Sequence, residues 1–167
     1  QWDAITGKPI RTFVGSSGVL NSLSLTRDGK QVIAGGADMK VYVWQLPMVN
    51  DGKAPAQVQP VTSYTHPAAV RAVTASADGG IIAAAGNDNL IRLWDAASGK
   101  ERERLAGHTA AVITIDLSAD GRFLISGSTD KTLRRWQPAV LAAATAHEGA
   151  IHDVVISSDG EHAFTAG

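Results

Sequence analysis

Apolar residues recur along this chain in groups whose internal spacing does not drift. With Ser16, His66, His108 and His147 as origins, they follow at offsets four, seven and nine: Leu20, Leu23, Leu25; Val70, Val73, Ala75; Val112, Ile115, Leu117; and Ile151, Val154, Ile156. A step of three followed by a step of two is not helical. It predicts a strand with one extra residue near its start, a bulge. An Asp-Gly pair closes each group (Asp28-Gly29, Asp78-Gly79, Asp120-Gly121, Asp159-Gly160), and Asp-Gly between apolar runs predicts a hairpin. Second strands are expected over 31–34, 81–84 and 123–126. A Gly-rich turn with an Asp at offset 22 (Asp38, Asp88, Asp130) then leads to a third strand ending on a Trp at offset 28 (Trp44, Trp94, Trp136). A fourth follows the next turn, for example 101–105.

A fixed period of roughly 40 to 50 residues is the sign of a solenoid or propeller, so length is better counted in repeats than in domains. Four antiparallel strands per period make one blade of a β-propeller. The fold class expected is therefore all-β, an open arc of about three complete blades with partial blades at both ends. Repeats fall at about 4–45, 46–95 and 96–137, with a partial one at 138–167. Gln1-Trp2-Asp3 reads as the end of a third strand, and Gly167 falls two residues before the fourth turn Asp is due, so the expectation is a segment of a longer protein whose remaining sequence supplies further blades. Between Trp44 and His66 the connection carries eight more residues than between Trp94 and His108. This insertion, 46–60, reads either as a flexible connection without function or as a docking loop or modification site.

Gly107-His108, Asp120-Gly121, Ser126-Gly127-Ser128, Asp130 and Trp136, together with Trp94-Asp95 and Trp2-Asp3, resemble the WD-repeat β-propeller signature. The resemblance implies that each repeat supplies the outer strand of one blade and three inner strands of the next. It also implies a hydrogen-bonded set of Trp, Ser/Thr, Asp and His. The third repeat has that set whole, as His108, Ser126, Asp130 and Trp136; the second keeps His66, Asp88 and Trp94 but has Ala84; the first has Ser16, Ala34, Asp38 and Trp44. Uneven blade rigidity follows, with Asp130→Ala expected to lower the melting temperature more than Asp38→Ala. Binding in this family uses residues at the bulge and just before the turn Asp, on one rim. Mapped by offset these are Val19, Asn21 and Ala37; Ala69, Arg71 and Asn87; Ala111, Ile113 and Thr129; and Ala150 and His152. Arg71 with Asn87 resembles a polar hot spot with a charged anchor.

Composition narrows the function classes. Apolar residues make up 44% of the chain and no run approaches the roughly 18 needed to span a bilayer, which reads as a soluble protein without a membrane partner. A net charge of −1 offers no footprint for nucleic acid, and the absence of cysteine excludes disulfides, thiolate metal sites and cysteine nucleophiles. The Ala-rich, cysteine-free composition looks bacterial; the compartment stays open, with cytoplasm favoured. His108 with Asp130 has the residue types of a general base and its orienter, but recurrence at fixed offsets favours a structural role. His147 and His152, with His162 nearby, could suggest a metal, yet an offset of five puts the first two on opposite strand faces. No Ser elbow, phosphate loop or HExxH helix occurs. Neither a catalytic residue, a cofactor nor a metal is expected. Glu101-Arg102-Glu103-Arg104 alternates as an outer strand whose charge discourages edge pairing. Arg135 replaces Val43 and Leu93 of the other repeats and sits either at a wet margin or against a carboxylate such as Asp116. The function expected is a protein-interaction scaffold without catalysis in these blades, bound by a protein or peptide. The alternatives are a propeller belonging to a larger enzyme or signalling protein, and a sugar-binding wheel, which the scarcity of aromatics (5%) disfavours.

Overall fold

A computed structural model describes residues 1–46, 57–118, 122–137, 139–145, 150–157 and 162–166. His147, the Asp120-Gly121 and Asp159-Gly160 turns and positions 47–56 of the insertion lie outside the described residues. In chain order the strands are β1 (Thr12–Phe13), β2 (Leu20–Leu25), β3 (Gln31–Gly36), β4 (Lys40–Gln45), β5 (Gln57–Val58), β6 (Thr62–Thr65), β7 (Val70–Ala75), β8 (Ile81–Gly86), β9 (Ile91–Asp95), β10 (Glu101–Leu105), β11 (Val112–Leu117), β12 (Leu124–Ser128), β13 (Thr132–Gln137), β14 (Ala139–Thr145), β15 (Asp153–Ile156) and β16 (Ala163–Ala166). They form three four-stranded antiparallel sheets, β2-β3-β4-β6, β7-β8-β9-β10 and β11-β12-β13-β14. A β15-β16 hairpin starts a fourth. The outer strands β6 and β10 directly precede His66 and His108, so each blade takes its edge from the opening of the next repeat.

The three-then-two spacing has the local cause expected of it. Pairing slips between Leu20 and Ser22, between Val70 and Ala72, and between Val112 and Thr114, leaving Asn21, Arg71 and Ile113 as the bulged residues. The bulge turns the residue at offset four onto the preceding blade, where Val70, Val112 and Ile151 are fully buried. The receiving position is small each time: Gly35, Ala85, Gly127. A Cβ on Gly35 would lie 2.3 Å from a Val70 methyl, and one on Gly127 would lie 2.7 Å from Ile151. Burying each such Val or Ile contributes about 1.5 to 3 kcal/mol, and these contacts join blade to blade as two apolar clusters.

The same offsets behave differently in β2, where Leu20, Leu23 and Leu25 are 43%, 75% and 55% exposed. Their side of the first blade has no sheet against it among the described residues. A second departure from the sequence reading concerns the insertion, whose last part is not a loop. Gln57 and Val58 pair in parallel with Thr12 and Phe13, and Val58 is buried with Ala34, Tyr42 and Trp44.

Candidate functional site

Three turns carry the recurring Asp, and the third repeat shows the full arrangement. His108 sits just before β11, Ser126 on β12, Asp130 in the β12-β13 turn and Trp136 at the end of β13. Trp136 Nε1 donates to Ser126 Oγ (2.9 Å), Ser126 Oγ lies 2.7 Å from His108 Nε2, and His108 Nδ1 lies 2.7 Å from Asp130 Oδ2. Because the serine oxygen accepts from the indole, its proton points to Nε2, and Nδ1–H donates to the carboxylate. Burial lowers the His108 pKa, against the pull of Asp130, so the ring is neutral. Burial works to raise the Asp130 pKa, but hydrogen bonds from Thr132, His108 and the Thr109 amide hold the carboxyl far below the usual range. Both ring nitrogens of His108 are thus engaged within the protein.

The other two repeats reach the turn Asp by different side chains. In the second, His66 Nδ1 donates to Ala68 O (2.9 Å), and Nε2 stands 3.9 Å from Asp88 Oδ1. The buried Arg92 guanidinium lies between, pairing with Asp88 and donating to His66 Nε2 at 3.1 Å. Burial lowers the His66 pKa and keeps the ring neutral. In the first, Ser16 and Ser17 donate to Asp38 Oδ2, joined by Tyr42 Oη at 2.7 Å, while Trp44 Nε1 donates to Val14 O at 3.0 Å. Tyr42 and Arg92 occupy one repeat position, two before the Trp. The third repeat, which has the serine, carries Arg134 at the same position, so a long polar side chain there does not mark the repeats that lack it, and sequence reasoning passed over its role.

A second repeated group was also missed. Thr26, Ser76, Ser118 and Ser157 stand at offset ten in all four repeats. Each hydroxyl accepts the amide of the first residue of the following strand region: Gln31, Ile81, Phe123 and His162. Thr26 and Ser76 also donate to Asp28 and Asp78, and Gly29 and Gly79 take positive φ (69° and 70°), the backbone an Asp-Gly hairpin needs.

At the opposite strand ends lies the rim. Asn21, Arg71, Ile113 and His152 come together in one open groove of about 350 Å³ between β2, β7, β11 and β15. Asn21 is committed to holding the next blade, donating to Val70 O at 2.7 Å. Arg71 is exposed and has no ion pair among the described residues. Ala37, Asn87 and Thr129 each donate a backbone N–H to the residue at offset three, Val19, Ala69 and Ala111, which ties the two halves of the rim together. Asn87 and Thr129 are exposed there but do not line the groove.

The remaining candidates resolve into packing. Arg135 lies over the Phe123 ring at 3.9 Å, and Asp116 is occupied in accepting the Ile156 amide of the next blade. Glu101 pairs with Arg104 at 2.8 Å and faces Arg92. His152 and His162 are exposed, and no group of three or more His, Asp or Glu suited to a metal occurs among the described residues.

Comparison with known proteins agrees with this architecture. The family described as "WD domain, G-beta repeat" matches residues 7–45, 58–95 and 99–137. Similar proteins include the nuclear distribution protein nudF of Aspergillus niger, 30% identical over 64% of this chain and 27% of its own. Another is the pre-mRNA-splicing factor cwf17 of Schizosaccharomyces pombe, 29% identical over 65% of this chain and 29% of its own. A third is the serine-threonine kinase receptor-associated protein of Bos taurus, 32% identical over 58% of this chain and 25% of its own. This chain thus spans well under a third of the length of the relatives it matches. Three matched repeats, three bulged four-stranded blades and a turn Asp at one offset lead to one statement: the chain belongs to the WD-repeat, or G-beta repeat, family.

Proposed function

We propose that this chain is a protein-interaction scaffold, non-catalytic in these blades, and that a protein or peptide partner docks on the rim groove around Arg71. The observation that carries the reading is Arg71 itself: an exposed guanidinium without an ion-pair partner among the described residues, at the β7 bulge and in one groove with Asn21, Ile113 and His152. Arginine is the charged residue most often found at interface hot spots, because its planar fork binds carboxylates and amides in pairs while its stem covers apolar surface. The neighbouring rim positions Val19, Ala37, Ala69 and Ala111 are apolar and offer contact area without competing charge. The titratable groups of the turns are paired internally, which supports their assignment to structure rather than to reaction chemistry. The names of the relatives refer to nuclear distribution, splicing and receptor association. Such diversity fits a scaffold whose partner is set by rim residues rather than by the repeat.

A photocrosslinking residue at position 113, with the same residue at position 30 in the distant Asp28-Gly29 turn, tests the proposal in cells. Crosslinks to one protein from 113 and not from 30 are expected. Equal yields from both positions, or none from 113, would contradict the docking site.

A further inference from the structure

The first repeat has lost two of the four network residues, with Ser16 and Ala34 where the third repeat has His108 and Ser126, yet its Trp44 is the largest fully buried side chain among the described residues. Something else holds that indole. Its N–H donates to Val14 O (3.0 Å), and Val14 N–H in turn donates to Val58 O (3.1 Å). Val58 sits on β5, paired in parallel with β1, and packs beside Ala34, Tyr42 and Trp44, while Phe13 meets Trp44 edge-on with ring centres 5.9 Å apart. Two residues on, the Pro60 ring covers Gly15, where φ is +114° and a Cβ would lie 2.9 Å from Pro60 Cδ. The second repeat lacks the eight extra residues and has no strand corresponding to β5 between its Trp94 and β10.

We propose that residues 57–60 are a strap that takes over in the first repeat the task His108 and Ser126 perform in the third. The strap fixes Trp44 at second hand: Val58 holds Val14, and Val14 accepts the indole proton. It also clamps the segment at 12–15 against the first blade. A purely passive connection would have no reason to bury an apolar side chain at Ala34, the position where the missing serine hydroxyl would stand, nor to be matched by a glycine in a conformation other residues rarely adopt. The insertion is therefore a compensation for a degenerate repeat, coupled to the preceding segment through Val14.

Val58→Ala in the full chain removes two buried carbons while sparing the backbone pairing. Two local readouts follow it: tryptic cleavage after Arg11, which is 5% exposed and abuts β1, and hydrogen exchange at the Trp44 indole. Both should rise roughly tenfold, the factor expected when about two buried carbons stop supporting a local unit. Cleavage after the exposed Arg27 and exchange at the Trp136 indole should not change. Adding Ala34→Ser gives the Trp44 indole the acceptor Trp136 already has, and should restore its protection without restoring that of Arg11. Unchanged protection at Trp44 and Arg11 in Val58→Ala would overturn the strap. So would an equal rise at all sites, or an Ala34→Ser that leaves the indole unprotected.

Discussion

Asp38, Asp88 and Asp130 hold one repeat position but three different environments. Asp130 has both oxygens occupied and serves a neutral, buried histidine; Asp38 gathers its donors on Oδ2 and leaves Oδ1 without a hydrogen bond. Removing Asp130 strands the His108 Nδ1–H, at a cost of about 1 to 3 kcal/mol beyond the bonds lost. Asp130→Ala should thus lower the melting temperature by several degrees more than Asp38→Ala, where Tyr42 and the serines can turn to water; equal shifts in thermal unfolding would refute the ranking. The pH dependence has one sign throughout. His66 and His108 have folded pKa values depressed by burial, so the unfolded chain binds protons first as pH falls. The stability they contribute is whole above about pH 6.5 and declines below it; that of Asp130, also depressed, is lost only below about pH 4. Urea unfolding at pH 8, 6 and 5 should show the decline, and His108→Gln should flatten it. The third network was legible from four residue types at fixed offsets. The substitutes Tyr42 and Arg92 were not, because the third repeat, with its serine in place, has Arg134 at the same position, and only the fold shows how far a side chain two before the Trp extends.

Bulges, hairpins and strand order were readable because each has a short-range cause: a shifted apolar step, an Asp-Gly pair, a period that repeats. Strand β5 was not, since Gln57-Val58 carries no alternation and its pairing depends on a segment more than 40 residues earlier. The joints between blades use hydroxyls that sequence cannot assign to a partner. Ser22 Oγ accepts the Val73 amide and Thr114 Oγ1 accepts the Val154 amide, both across a seam. At the seam between the second and third blades the same offset is Ala72, which has no hydroxyl to offer and packs in the apolar cluster that spans the two blades. Thr114→Val keeps the shape but leaves a buried amide unpaired, and should cost about 1 to 3 kcal/mol in urea unfolding with an unchanged slope. A cost near zero would show that the third seam rests on packing.

Across the whole molecule, stacking the blades brings the three bulges to one end, and there Asn21, Arg71 and Ile113, which sequence offsets had mapped separately, share a single groove with His152. Sequence placed Arg71 and Asn87 together as a hot spot; the groove groups Arg71 with Asn21, Ile113 and His152, and Asn87 does not line it. The internal fates of the other candidates explain why Arg71 stands out: Asn21 secures the neighbouring blade, Asp116 secures the fourth, and Arg92 and Arg135 are spent on packing and pairing. Arg71 is left exposed in the groove, with no ion pair among the described residues. The decisive measurement is the affinity of the crosslinked partner, by calorimetry, for the unaltered chain, for Arg71→Ala and for Lys30→Ala. A loss of roughly 30-fold or more with Arg71→Ala and none with Lys30→Ala is predicted, the size of a central hot spot; unchanged affinity with Arg71→Ala would contradict the docking groove.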